Sequence, residues 1–136
     1  MVILMIKKRI IGSIIIKDEI VVQSFGFSKF LPLGSPKVFV ENLDRWGADE
    51  IFFNVIDRSN NQLGPHFELI KIIGKSNLST PIIYSGGIKS VEDAKKIIEL
   101  GADRIAIDNL LFSNIHVVQD LINFLGAQAI IISLPV

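Results

Sequence analysis

Residues Pro81 to Asp103 constrain this chain more than any other stretch. The apolar run Pro81-Ile-Ile-Tyr84 breaks at Ser85-Gly86-Gly87, a helix-forming segment opens at Ser90, and Gly101-Ala-Asp103 leads into the apolar run Arg104-Ile-Ala-Ile107. Strand, glycine turn, helix and strand in that order are the pattern of a parallel βαβ unit. Gly86 and Gly87 leave backbone N–H groups uncovered at the C-terminal end of a strand, where an anion can approach closely. Phosphate is the expected anion, and a plain tight turn is the alternative.

The pattern repeats. Gly47-Ala48-Asp49 returns as Gly101-Ala102-Asp103, and Gly126-Ala127-Gln128 is a weaker third copy; each follows an amphipathic segment and precedes an apolar one. The spacings are 54 and 25 residues, which fits a unit of about 26 residues with one copy eroded. In each copy the glycine is expected to end a helix in the left-handed conformation and turn the chain into the next strand.

Composition agrees. Apolar residues make up 49% of the chain and gather in isoleucine-rich runs without alternation, as strands buried on both faces require. The 136 residues suffice for one domain with a real core. Fourteen basic and fourteen acidic residues cancel, which argues against nucleic acid or an anionic membrane as partner. The absence of cysteine excludes disulfides and thiolate chemistry and fits a cytoplasmic location. The apolar start, Met1 to Ile6, is too short to span a bilayer, and Lys7-Lys8-Arg9 lies on the wrong side of it for a signal peptide. Met5 is a second candidate start. His66 and His116 have no partner at ligand spacing, so no metal and no cofactor are expected.

The expected elements run as (βα)4 plus a fifth strand. Strand one covers 10–16, with a short extension over 20–24 and a loop over 25–34, where Pro32 and Gly34 act as breakers. A helix capped by Ser35, with Pro36 first, runs to Trp46. Strand two covers 50–56, a polar loop 57–65, and a helix 66–75. Strand three covers 81–84, and its helix carries Ser90 and Asp93 in a capping-box arrangement. Strand four covers 104–107, Asn114 caps a fourth helix to Leu125, and strand five covers 129–134. A closed eight-stranded barrel takes about 250 residues, so the expected fold is an α/β half-barrel of the TIM type in one domain.

Lys8-Arg-Ile-Ile11, Lys17-Asp18, Gly47-Ala-Asp-Glu50, Ser85-Gly-Gly-Ile88 with Ser90-Val-Glu-Asp93, and Gly101-Ala-Asp103 together resemble the imidazole glycerol phosphate synthase family. The similarity is to the N-terminal half of its cyclase subunit and extends from Lys8 to Ser133. The resemblance implies a (βα)8 barrel that receives ammonia from a glutaminase subunit and builds an imidazole from a phosphorylated ribotide. By the same resemblance, Gly86, Gly87, Asp108 and Asn109 match the loops that bind one substrate phosphate. Arg9, Glu50 and Arg104 match members of the charged ring that gates ammonia entry, and Asp103 matches a residue facing the glutaminase. An ordinary solvated rim is the alternative for that face.

The departures bear on chemistry. The two family aspartates that act as general acid and base fall on Ile15 and Pro135, and neither can transfer a proton. The lysine after strand one falls on Gln23, a candidate substrate contact, and the aspartate late in strand two falls on Val55. Asp57-Arg58, in a run resembling the family's loop after strand six, supplies the best remaining acid–base candidate in Asp57 and a second anion contact in Arg58. A structural aspartate–arginine pair is the alternative reading.

These residues imply a cyclase-like protein that binds a phosphorylated ribotide or sugar and docks a glutaminase. They suit best the cyclase-like paralogues found with surface-glycan genes, which are thought to aminate a sugar. A non-catalytic binding subunit and a truncated half-barrel are the alternatives. Open edges on an isoleucine-rich sheet, with Ile14, Ile16, Ile83 and Ile105 taken as its inner face, lead one to expect a homodimer, a higher oligomer or a complex with a separate second half.

Overall fold

The computed structural model describes residues 7–134. Met5 and Pro135 lie outside them. Seven strands form one sheet: β1 (Ile11–Lys17), β2 (Ile20–Phe25), β3 (Lys29–Gly34), β4 (Glu50–Val55), β5 (Ile82–Ser85), β6 (Arg104–Ile107) and β7 (Ile130–Ile132). Between them lie α1 (Pro36–Arg45), α2 (Asp57–Asn60), α3 (Phe67–Gly74), α4 (Val91–Glu99), α5 (Leu110–Ser113) and α6 (Ile115–Leu125), with a 3₁₀ turn over Ala127–Ala129. The order across the sheet is β3-β2-β1-β4-β5-β6-β7. The strands β1, β4, β5, β6 and β7 are parallel neighbours, and β2 and β3 are an antiparallel hairpin on the outer side of β1. This is the α/β half-barrel that the βα repeat predicts.

One face of the sheet carries the core. Ile14 and Ile16, Phe53 and Val55, Tyr84, and Ile105 and Ile107 pack with Val40 of α1, Ile70 and Ile73 of α3, Ala94 and Ile97 of α4, and Val118 and Leu121 of α6. The intervening residues point to the other, concave face, because side chains alternate along a strand. The expectation for the inner face is therefore corrected. Ile14, Ile16 and Ile105 lie under the helices, at most 2% exposed. Ile83 belongs to the concave face by alternation, yet it too is buried, at 1%.

The Gly-Ala-Asp repeat has a structural explanation. The Asp49 N–H donates to the Ile10 carbonyl at 2.9 Å, while the Ile10 N–H donates to the Asp49 carboxylate at 2.7 Å. Asp103 does the same with Ile82, at 2.9 and 2.8 Å. Each aspartate thus clasps the start of the neighbouring strand and fixes the parallel register one residue before its own strand begins.

Residues 25–34 are not a loop. Phe25 pairs with Lys29, and β3 runs antiparallel to β2 back to Gly34. Pro32 is tolerated there because β3 is an edge strand, where a missing N–H breaks no ladder bond. Strand one therefore has a neighbour on its outer side, though only at Ile16↔Val21 and Lys17↔Ile20. The short helices α2 and α5 are additional to the expected elements, and β7 is shorter than the expected 129–134. The caps largely follow expectation. Ser90 accepts from the Asp93 N–H at 3.1 Å and Asn114 from the Val117 N–H at 3.3 Å, while Ser35 occupies its cap position without a side-chain bond.

Candidate functional site

The C-terminal ends of β1, β4, β5 and β6 open into a cleft of about 760 Å³. It is lined by Lys17, Asp18, Asp57, Gly86, Asp108 and Asn109, among others. The parallel strands bring these residues together from four βα units, the arrangement that places sites at this end of such sheets. A smaller cavity of about 170 Å³ adjoins it between Ser59, Gly87, Lys89, Asp108 and Asn109.

Asp57 begins α2. Its Oδ2 accepts the Asp18 N–H at 2.9 Å, and its Oδ1 is buried without a hydrogen-bond partner. A carboxylate oxygen without a partner is costly to bury, and at a cleft wall it is suited to meeting a ligand donor or a proton. Lys17 holds the Asp18 carboxylate at 2.7 Å, and that contact, followed by the charge of Asp18, raises the lysine pKa above its usual value. Lys17 is therefore a cation in the cleft and no amine nucleophile.

Arg58 is placed differently. Its Nε donates to the Gly64 carbonyl at 2.7 Å and its Nη2 to the Pro65 carbonyl at 3.4 Å, so the guanidinium holds the loop between α2 and α3 and does not line the cleft. Gln23 sits exposed on β2, also off the cleft. Neither is in position to meet an anion there.

The phosphate candidates converge, with two of their donors already engaged. The Gly87 N–H donates to Ser59 Oγ at 3.2 Å, and the Asn109 N–H to Asp108 Oδ1 at 2.6 Å. Ser59 Oγ, having accepted one N–H, keeps its own hydroxyl proton to donate. Both glycines have positive φ, +135° at Gly86 and +72° at Gly87. A side chain at Gly87 would meet the Leu63 and Gly64 carbonyl oxygens at 2.7 Å, so the turn is also pressed against the loop beneath it. The glycines are legible as site residues in the sequence, whereas Lys17 and Asp18 stand out there only as part of the family resemblance and Ser59 not at all. The signal for Ser59 lies in the folding of the polar run into α2, which a loop assignment conceals.

At the N-terminal end of the strands, Glu50 is 4% exposed and bridges two arginines. Arg9 Nη1 lies 3.1 Å from Oε1 and Arg104 Nη1 3.1 Å from Oε2. Arg104 Nε also donates to the Gln128 carbonyl at 3.0 Å. An open cavity of about 540 Å³ sits over this cluster. Buried and in contact with two arginines, Glu50 is not a solvated rim residue. Asp103 stands beside the cluster, with its carboxylate engaged by the Ile82 N–H.

His66 caps α3: its Nδ1 accepts the Leu69 N–H at 3.2 Å. His116 is exposed at the start of α6. Among the described residues no group of three His, Cys, Asp or Glu side chains is placed to hold a metal ion, and no helix is long and apolar enough to cross a membrane.

Sequence comparison agrees with this architecture. The family described as "Histidine biosynthesis protein" matches residues 9–136. A putative imidazole glycerol phosphate synthase subunit hisF2 of Vibrio vulnificus is 33% identical over 129 residues, covering 95% of this chain and 47% of that protein. The imidazole glycerol phosphate synthase subunit HisF of Natranaerobius thermophilus is 31% identical over 130 residues, covering 96% of this chain and 51% of that protein. The chain spans about half the length of the curated relatives it matches. With its α/β half-barrel and its family match over nearly all residues, the chain belongs to the histidine biosynthesis protein family.

Proposed function

We propose that this chain forms the N-terminal half of a cyclase-like site that binds a phosphorylated ribotide or sugar, with Asp57 as its acid–base group and ammonia supplied by a glutaminase at the Arg9–Glu50–Arg104 face. The carrying observation is the convergence of Asp57, Gly86, Asp108 and Asn109 on one cleft, with the Asp57 Oδ1 unpartnered. A phosphate entering there displaces Ser59 and Asp108 as the acceptors of the Gly87 and Asn109 N–H groups. The paired arginines about Glu50 support docking at the opposite face. A second half-barrel, from another copy or a separate chain, completes the ring, and histidine-like cyclisation or sugar amination are the two chemistries this reading allows.

One observation favours a second reading. Ile15 lies on the concave face of β1, in register with Asn54 of β4, where the family's aspartate is expected. Without that group the chain suits a binding or assembly subunit, and the chain alone is expected to show no ammonia-dependent cyclase turnover. The test is phosphate titration followed by amide NMR, then ammonia- and glutaminase-dependent turnover of a phosphoribosyl substrate with the completed barrel. Turnover that falls roughly 10²- to 10⁴-fold in Asp57→Asn supports the enzyme. Phosphate binding without turnover supports the binding subunit, and a Gly86–Gly87 turn unmoved by millimolar phosphate sinks the phosphate site.

A further inference from the structure

We propose that His66 and Glu19 form a clamp that positions Asp57, so that His66 is a positioning residue of the cleft as well as a helix cap. The inference rests on Asp57 as the acid–base group, and it begins from backbone strain. The two residues of the β1–β2 turn, Asp18 and Glu19, have φ of +51° and +65°. A turn with both central residues left-handed favours Asn-Gly or Asp-Gly, and a glutamate there is unfavourable. Such a conformation persists where the surroundings over-determine it.

Three contacts do so. Asp18 is gripped by Lys17 at 2.7 Å, the Asp18 N–H is held by Asp57 Oδ2 at 2.9 Å, and Glu19 Oε1 lies 3.0 Å from His66 Nε2. The histidine is fixed independently of the turn. Its Nδ1 accepts the Leu69 N–H, and its own backbone N–H donates to Tyr84 Oη at 2.7 Å, tying it to the buried strand β5. With Nδ1 acting as acceptor, the ring proton sits on Nε2 and donates to Glu19. A continuous path therefore runs from β5 through His66, Glu19 and Asp18 to the one carboxylate oxygen of Asp57 that is engaged. The other oxygen, Oδ1, is buried without a hydrogen-bond partner.

The experiment reads geometry and not turnover, so its failure is distinct from a failure of Asp57 in catalysis. His66→Asn keeps a good N-cap for α3 but is too short to reach Glu19. Glu19→Ala removes the other partner at a side chain 76% exposed, where folding is not at risk, and Glu19→Gln keeps an acceptor. Hydrogen exchange at the Asp18 amide, referenced to amides of β4, is expected to quicken roughly tenfold in His66→Asn and in Glu19→Ala, the loss of one charge-assisted bond. The double variant is expected to add nothing further, and Glu19→Gln to stay near the parent. The Asp57 carboxyl carbon resonance should move with the first two variants. Unchanged Asp18 exchange in Glu19→Ala, or additive effects in the double variant, overturns the clamp.

Discussion

Single side chains account for how loops that look irregular in sequence are held. Asp44, at the end of α1, accepts from the N–H and hydroxyl of Ser79 and of Thr80, at 2.6 to 3.2 Å. The Thr80 and Ser79 hydroxyls hold its pKa below the usual aspartate value. A folded-state pKa below the unfolded one stabilises at neutral pH and loses that contribution as pH falls through the folded value. Stability measured by urea titration should therefore drop in acid below the unfolded value of 3.8, and Asp44→Asn should lessen that drop while lowering stability at neutral pH. Tyr84 behaves in the opposite sense. It is 1% exposed, and burial pushes its hydroxyl up to about 12. The raised value means stability is complete below the unfolded value of 10.0 and is lost as pH rises toward 12. Two units correspond to roughly 3 kcal/mol, which Tyr84→Phe should remove from the alkaline limb. A residue-scale test at Gly87 needs care for the same reason of packing. Any side chain there meets two carbonyl oxygens, so loss of phosphate binding in Gly87→Val would report a broken loop. Ser59→Ala, which frees the Gly87 N–H without crowding it, is the sounder probe, and it should leave the fold intact while changing phosphate affinity.

At the scale of elements, what the sequence made legible was whatever local chemistry dictates. The βα repeat, the caps at Ser90 and Asn114, and the glycine ends of helices depend on neighbours in sequence, and they appear where expected. The hairpin of β2 and β3 was hidden because Pro32 and Gly34 read as breakers, and only the sheet edge makes them acceptable. The placement of Arg58 was hidden because its partners, the Gly64 and Pro65 carbonyls, become neighbours only when α2 forms. The roles of Asp49 and Asp103 were likewise tertiary: each needs the adjacent strand to supply an N–H. One contact between elements could not have been read at all. The end of α3 and the end of α4 touch backbone to backbone, where a Cβ at Gly74 would sit 2.1 Å from the Leu100 carbonyl oxygen and one at Gly101 2.8 Å from the Gly74 Cα. Neither neighbour is a flexible side chain that can swing aside. Gly74→Ala should therefore destabilise by about 1–3 kcal/mol despite alanine's better helix propensity. Gly64→Ala, with open space around it, should leave the urea midpoint nearly unchanged.

For the whole molecule, the deciding feature is the edge of the sheet. Burial of Ile14, Ile16, Ile83 and Ile105 removes the expected driving force from an open inner face, and the argument for association passes to β1. Its outer side is paired with β2 only at Ile16 and Lys17, so the backbone over 11–15 is unpaired on that side among the described residues. The apolar side chains at its start are uncovered too, with Ile10 73% and Ile11 48% exposed. An unpaired strand with apolar residues and no blocking charge over 10–16 is a template for another chain. The net charge of zero offers no repulsion to oppose it. At micromolar concentration the chain should therefore sediment as a dimer or larger assembly, or bind a second half-barrel offered separately. A two-fold dimer that completes the ring sets the β7 edge of each copy against its partner's β1 edge. Ile11→Lys places a charge on that edge and should shift the equilibrium toward monomer without unfolding the chain, since Ile11 lies outside the buried core. Sedimentation velocity on the parent and the variant decides the matter: a parent that stays monomeric and free of aggregation would mean that the β1 edge is protected by something other than a partner.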